Sequence, residues 1–151
     1  LAMFSVTSLP GSKYWNGIII GVSETGASIL SAVILRYFDE LKLFRFYIML
    51  GFLAYSTLIL LPEDNPFRYS ILFIGVGAVG AYFNCVFVIV ELRIPTQYLG
   101  ATLTLCMTWA QLFASLCPIF GFMPQPIPLI IIVAEFVIAF VFSLFMPSRL
   151  P

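Results

Sequence analysis

Glu24, Asn84, Thr104, Thr108, Gln111 and Ser115 stand inside long apolar stretches of a chain in which only 9% of residues are charged. One carboxylate, two carboxamides and three hydroxyls can hold a polar solute, a cation or a proton by hydrogen bonds and a single negative charge. They cannot readily do covalent chemistry. The chain has no histidine, which removes Ser–His nucleophiles, His-based metal sites and the HExxH zinc motif together. Cys85, Cys106 and Cys117 lack metal-ligand spacing and fall in apolar runs, so buried free thiols are expected. No nucleophile–base pair can be assembled from so few ionisable groups. The expectation is a protein that is not an enzyme and uses no cofactor or metal.

The spacing of these residues is helical. Thr104, Thr108, Gln111 and Ser115 recur at intervals of 4, 3 and 4, which places them on one face. Gly17, Gly21, Glu24 and Ser28 form a second such stripe, and Gly77, Gly80, Asn84 and Glu91 a third. Stripes of this kind have two readings. Small residues let helices pack closely, with Asn or Gln as hydrogen-bonding glue between them. Alternatively, polar residues line a wet cavity, the usual setting for an ionisable group inside a membrane. Gly75, Gly77 and Gly80 suit the first reading, and Glu24 suits the second. For Gln111 the cavity reading stands beside that of a bridge between two helices. Glu135 admits three settings: a cavity, a neutral carboxyl between helices, or a contact with another protein.

The elements that must position these side chains follow from composition. Hydrophobic residues make up 62% of the 151 and mean hydropathy is +1.08, while a soluble domain carries roughly 25% charged residues. Lipid is therefore the expected surroundings. The seven basic and seven acidic residues balance, so there is no nucleic-acid footprint. A bilayer core about 30 Å thick takes about 20 helical residues to cross. Five segments qualify: 15–36, 46–61, 69–92, 98–120 and 128–146, separated by FDELKLFR, LPEDNPFR, ELRIPT and GFMPQPIP. The second is short at 16 residues, with Arg45 and Arg68 able to snorkel from its flanks. Alternation of spans puts Arg36, Lys42, Arg45, Arg93 and Arg149 on one side and only Lys13 and Arg68 on the other. The positive-inside rule then makes the first side, with the C-terminus, cytoplasmic. The expected protein is all-α and multi-pass, without a signal peptide. Its first residue, Leu1, suggests a fragment or a processed product.

Several short motifs together resemble the second half of a major facilitator superfamily transporter, most like the organic cation/anion (organic solute) branch. FSVTSLPGSKYWN is similar to the end of that family's seventh helix and its outer loop, which makes residues 1–8 the tail of a sixth helix here. Glu24 falls where the family carries a Glu in helix eight. Asp39, Lys42 and Arg45 resemble its acidic-plus-basic loop, and Glu91, Arg93, Pro95, Thr96 and Gly100 its acidic-x-x-Pro-Thr signal between helices ten and eleven. MPSRLP is similar to the exit from its last helix. The chain departs from the family at Gly26, where the family has Pro, and at Leu99, where it has Arg.

The resemblance implies half of a twelve-helix carrier that moves a small organic solute by alternating access, working with an N-terminal six-helix half that lies outside this sequence. Spans one, three and four would then line the cavity, and spans two and five would be peripheral. Asp39, Lys42, Arg45, Glu91 and Arg93 would form the cytoplasmic gate, while Glu24 would supply a counter-charge or a protonatable site. Gln111 stands seven residues before Pro118, where the branch has Asp for cations or Arg for anions; an uncharged Gln111 implies a neutral or zwitterionic solute. A structural membrane subunit, derived from a degenerate carrier, is the alternative.

Overall fold

A computed structural model describes residues 13–62, 65, 67–121, 123–124 and 126–146. It contains α1 (Lys13–Ile34), α2 (Glu40–Leu60), α3 (Phe67–Arg93), α4 (Thr96–Gly121) and α5 (Ile127–Phe145). Proline chemistry punctuates the chain. Leu61, Ile94 and Met146 each precede a proline, a position that disfavours the α conformation, and α2, α3 and α5 end at or just before them. Asn65 opens α3, its side-chain oxygen accepting from the Phe67 N–H at 3.0 Å.

The second helix differs most from its expected bounds. It begins at Glu40 rather than 46, because Asp39 is an N-cap with extended backbone whose carboxylate accepts from Leu41 N–H at 3.0 Å. Glu40 in the first turn also complements the helix dipole. Lys42 and Arg45, expected in a loop, are therefore helical, and the 16-residue span becomes a helix of 21 residues. The first helix stops at Ile34, where Arg36 and Tyr37 N–H groups turn back to Val33 and Ile34 carbonyls in a tight turn. The expected helix tail at 1–8 and the closing motif at 147–151 lie outside the described residues.

Packing follows the small residues. Gly75 of α3 lies against Ala54 and Tyr55 of α2, while Gly77 and Gly80 lie against Ser23, Ala27 and Glu24 of α1. On the other side of α2, Gly51 receives the ring of Phe136 from α5. The helices thus pack in the order α1–α3–α2–α5, with α4 resting lightly on α3. Phe136 is also stacked on Tyr55 at 5.8 Å and edge-on to Tyr82 at 6.0 Å. Leu41, Ile48, Tyr55 and Leu58 of α2, with Leu72, Val76 and Cys85 of α3, complete the core. This places α2 between α3 and α5.

Among the described residues, four helices are long and apolar enough to cross a membrane: α1 over Gly17–Ile34, α2, α3 and α5. Their outward faces carry Ile18, Ile29, Leu53, Phe73, Ile138 and Phe142, all exposed. Water would not tolerate this much contiguous apolar surface, whereas lipid would. A membrane protein accounts for both the composition and the exposure.

Candidate functional site

The α1–α3 interface gathers Ser23 and Ser31 of α1 and Asn84 of α3. The Asn84 amide Nδ2 donates to Ser31 Oγ at 3.2 Å, and Ser31 Oγ donates to the Ser28 carbonyl at 3.0 Å. Ser31 is fully buried, so this chain of bonds keeps its hydroxyl from being stranded in an apolar setting. Towards the other end of the interface, Ser23 Oγ donates to the Phe73 carbonyl. Glu24 lies between these two bonds, half-buried, its Cγ 3.2 Å from where a side chain on Gly80 would begin.

The interface uses Ser23, Ala27 and Ser31, at steps of four, as its small-residue seam. The stripe read from sequence was Gly17, Gly21, Glu24 and Ser28, but Gly17 and Gly21 face open space. Two faces of α1 are rich in small residues, and only α3 decides which one is covered. Ser23 and Ser31 were missed for that reason, although their spacing with Ala27 is visible in the sequence.

The polar residues of α4 stand apart from this interface. Thr104, Thr108, Gln111 and Ser115 are all exposed. Three hydroxyls donate to their own helix: Thr104 to the Gly100 carbonyl at 2.9 Å, Thr108 to Thr104 at 2.8 Å and Ser115 to Leu112 at 2.6 Å. The half-buried residues of α4, among those whose side chains are described, are Leu99, Thr102, Leu103 and Ala110. At about 100° per residue these centre on the face opposite the polar stripe. The stripe therefore points away from α3, and Glu24 and Asn84 are not brought together with it.

At the end of the bundle where α2 begins, charges tie helices together. Arg93 Nη2 meets Glu40 Oε1 at 3.4 Å, joining the end of α3 to the start of α2. Arg45 Nη2 donates to the Ser143 carbonyl at 2.7 Å, joining α2 to the last turn of α5. A cation beside the C-terminal carbonyls of a helix also complements its dipole. Glu40 and Ser143 were not anticipated as partners. The sequence signal for Glu40 was its place beside the Asp39 cap, across a short connection from the same end of the bundle as Arg93.

The remaining loop-motif residues do not join this network as expected. Asp39 caps α2, while Lys42, Glu91, Pro95 and Thr96 are exposed. Gly100, the last residue of that motif, has no atom within 4 Å of where a side chain would begin. Glu135 is exposed midway along α5, beside the buried Phe136. Cys85 is buried, but Cys106 is exposed on α4, correcting the expectation of burial; the Cys117 side chain lies outside the described residues. Among the described residues, no group of three His, Cys, Asp or Glu side chains could hold a metal ion.

No family model matches the chain, and no curated protein matches it. The functional reading therefore stands on the residues themselves.

Proposed function

We propose that this chain forms part of a membrane carrier that moves a small organic solute by alternating access, with α4 as the fifth span and its polar stripe on the pathway. The observation that carries this reading is the direction of Thr104, Thr108, Gln111 and Ser115, which face away from α3 on an exposed side of α4. Polar groups facing hydrocarbon are unfavourable, so such a face calls for water, solute or further helices. Each hydroxyl that donates to its own backbone keeps acceptor capacity for a ligand, and Gln111 offers both donors and an acceptor. The stripe contains no charge, which suits a neutral or zwitterionic solute. Further helices facing α4 would supply the opposite wall, in keeping with the resemblance to the organic solute branch of the major facilitator superfamily.

In this reading Glu24 contributes a carboxylate from the α1–α3 seam, and the Arg93–Glu40 and Arg45–Ser143 links hold the cytoplasmic end. The Arg93–Glu40 pair is partly buried, and the Arg45 bond to the Ser143 carbonyl adds a second tie across the same end. The same side would be cytoplasmic, with the C-terminus. The test is uptake by the full-length protein in proteoliposomes, using matched cationic, anionic and neutral solutes. Gln111→Asp is expected to raise the cation-to-anion uptake ratio; an unchanged ratio would remove Gln111 as a selector.

A structural membrane subunit is the second reading. The observation favouring it is that Thr104, Thr108 and Ser115 already satisfy their hydroxyl donors within α4, which lowers the need for water. Absence of uptake for every solute in the panel, from protein that is folded and inserted, would favour this scaffold.

A further inference from the structure

The exposed tyrosine and tryptophan rings are not spread evenly along the helices. Tyr14 and Trp15 open α1, Tyr37 follows its end, and Tyr98 stands in the first turn of α4; all four are exposed. Tyrosines in helix interiors turn inward instead: Tyr47 and Tyr55 are buried and Tyr82 is half-buried. Midway along α1, α2, α3 and α5, the large hydrophobic side chains that are exposed are aliphatic, Phe or Met, among them Val22, Leu53, Ile74 and Ile138. Trp109 is the exception, and it stands on α4, whose polar stripe already calls for surroundings other than hydrocarbon.

We propose that these rings anchor the chain in the two headgroup layers of a bilayer, Tyr14 and Trp15 in one layer and Tyr37 and Tyr98 in the other. A phenol or indole ring is apolar, but its O–H or N–H goes unsatisfied in hydrocarbon. Both needs are met at headgroup level, where Trp and Tyr of membrane proteins concentrate.

The two sets stand at opposite ends of the bundle, at a separation that fits. α1 and α3 run in the same direction, since Ser23 reaches Phe73 while Ser31 meets Asn84. Tyr14 and Trp15 therefore lie at the end where α3 begins, and Tyr37 and Tyr98 flank the end where Arg93 meets Glu40. From Trp15 to Ile34, α1 rises about 28 Å at about 1.5 Å per residue. That matches a hydrocarbon core about 30 Å thick. Arg36, exposed beside Tyr37, adds a cation at the same level. The inference rests on the membrane-spanning reading of the helices and is independent of transport. It also sets a depth for the polar stripe: Thr104 and Ser115 lie about 9 and 26 Å along α4 from Tyr98, within the hydrocarbon zone.

The experiment uses the full chain in phosphatidylcholine vesicles containing lipid with a nitroxide either close to the headgroup or deep in the acyl chain. The chain has two tryptophans, so Trp109→Phe leaves Trp15 as the sole one. Its fluorescence is expected to be quenched several-fold more by the shallow label than by the deep one. With both tryptophans replaced by Phe, Tyr37→Trp and Tyr98→Trp are expected to behave alike. In the same background Val22→Trp, exposed within α1, is expected to show the opposite preference. Equal quenching by the two labels, a deep preference or no quenching at Trp15 or at either tyrosine position would overturn the proposal, as would a shallow preference at Val22→Trp. Each of these results leaves the membrane reading intact, whereas extraction of the wild-type chain from vesicles by alkaline carbonate would overturn both.

Discussion

Asn84 and Ser31 show how a single polar pair behaves at a membrane-helix interface. The Asn84 amide reaches Ser31 across α1 and α3 at 3.2 Å, while Ser31 keeps its own bond to the Ser28 carbonyl. Removing the amide thus leaves the Ser31 donor satisfied, and the loss is modest. Asn84→Ala is expected to destabilise the bundle by about 0.6 kcal/mol and by no more than ~1.7 kcal/mol, the range for such bonds between membrane helices. Denaturant unfolding in detergent micelles measures it. In a double-mutant cycle with Ser31→Ala, strict additivity would show that the pair has no coupling. Asn84 was visible in the sequence as a polar residue in an apolar run. Its partner was not, because a periodic pattern marks a face without naming the helix that covers it.

Among elements, the α2–α5 contact depends on a matched large and small residue. Gly51 accepts the Phe136 ring so closely that an added methyl group would overlap its edge. Gly51→Ala is therefore expected to destabilise the protein by about 1–3 kcal/mol through overpacking. Replacing Phe136 by Leu in that background is expected to recover part of the loss, although Phe136→Leu alone destabilises by opening a void. Thermal unfolding of the four variants checks this; a neutral Gly51→Ala would mean that α5 is not seated through this contact. The same scale explains the misread start of α2. Charge in FDELKLFR suggests a loop, but Asp39 is a helix cap, Glu40 pairs with Arg93, and Arg45 reaches the Ser143 carbonyl. Charged residues near a span can belong to a helix when partners on neighbouring helices take up the charge.

At the scale of the whole molecule, α4 is the element on which the proposed function turns. It rests lightly on α3 and turns Thr104, Thr108, Gln111 and Ser115 outward. If that face borders a pathway, water reaches it. In a Cys106→Ser background, cysteines placed at Thr104, Thr108 and Ser115 are expected to react with a membrane-impermeant thiol reagent, and cysteines at Leu99 and Leu103 are not. Labelling of neither set would place the stripe against lipid and remove it from any pathway. Glu40, Arg45 and Arg93 sit at one end of the molecule, where they link α2, α3 and α5. α1 and α4 carry the polar stripes outside those links.

What the sequence determined by itself is the medium and the local structure. Few charges, long apolar runs and breaker-bounded segments dictate long apolar helices suited to lipid, because hydrogen bonding and hydrophobic burial depend on residue type and spacing. The five helices are legible on that basis to within a few residues, except at the start of α2. Only the tertiary structure decided which faces meet. It covers Ser23, Ala27 and Ser31 while leaving Gly17 and Gly21 open, and it separates Glu24 and Asn84 from the stripe of α4. The physical reason is that small residues permit close approach on any face that carries them. The choice among those faces comes from side chains on other helices, such as Phe136 against Gly51, whose fit has no trace in the local pattern of either segment.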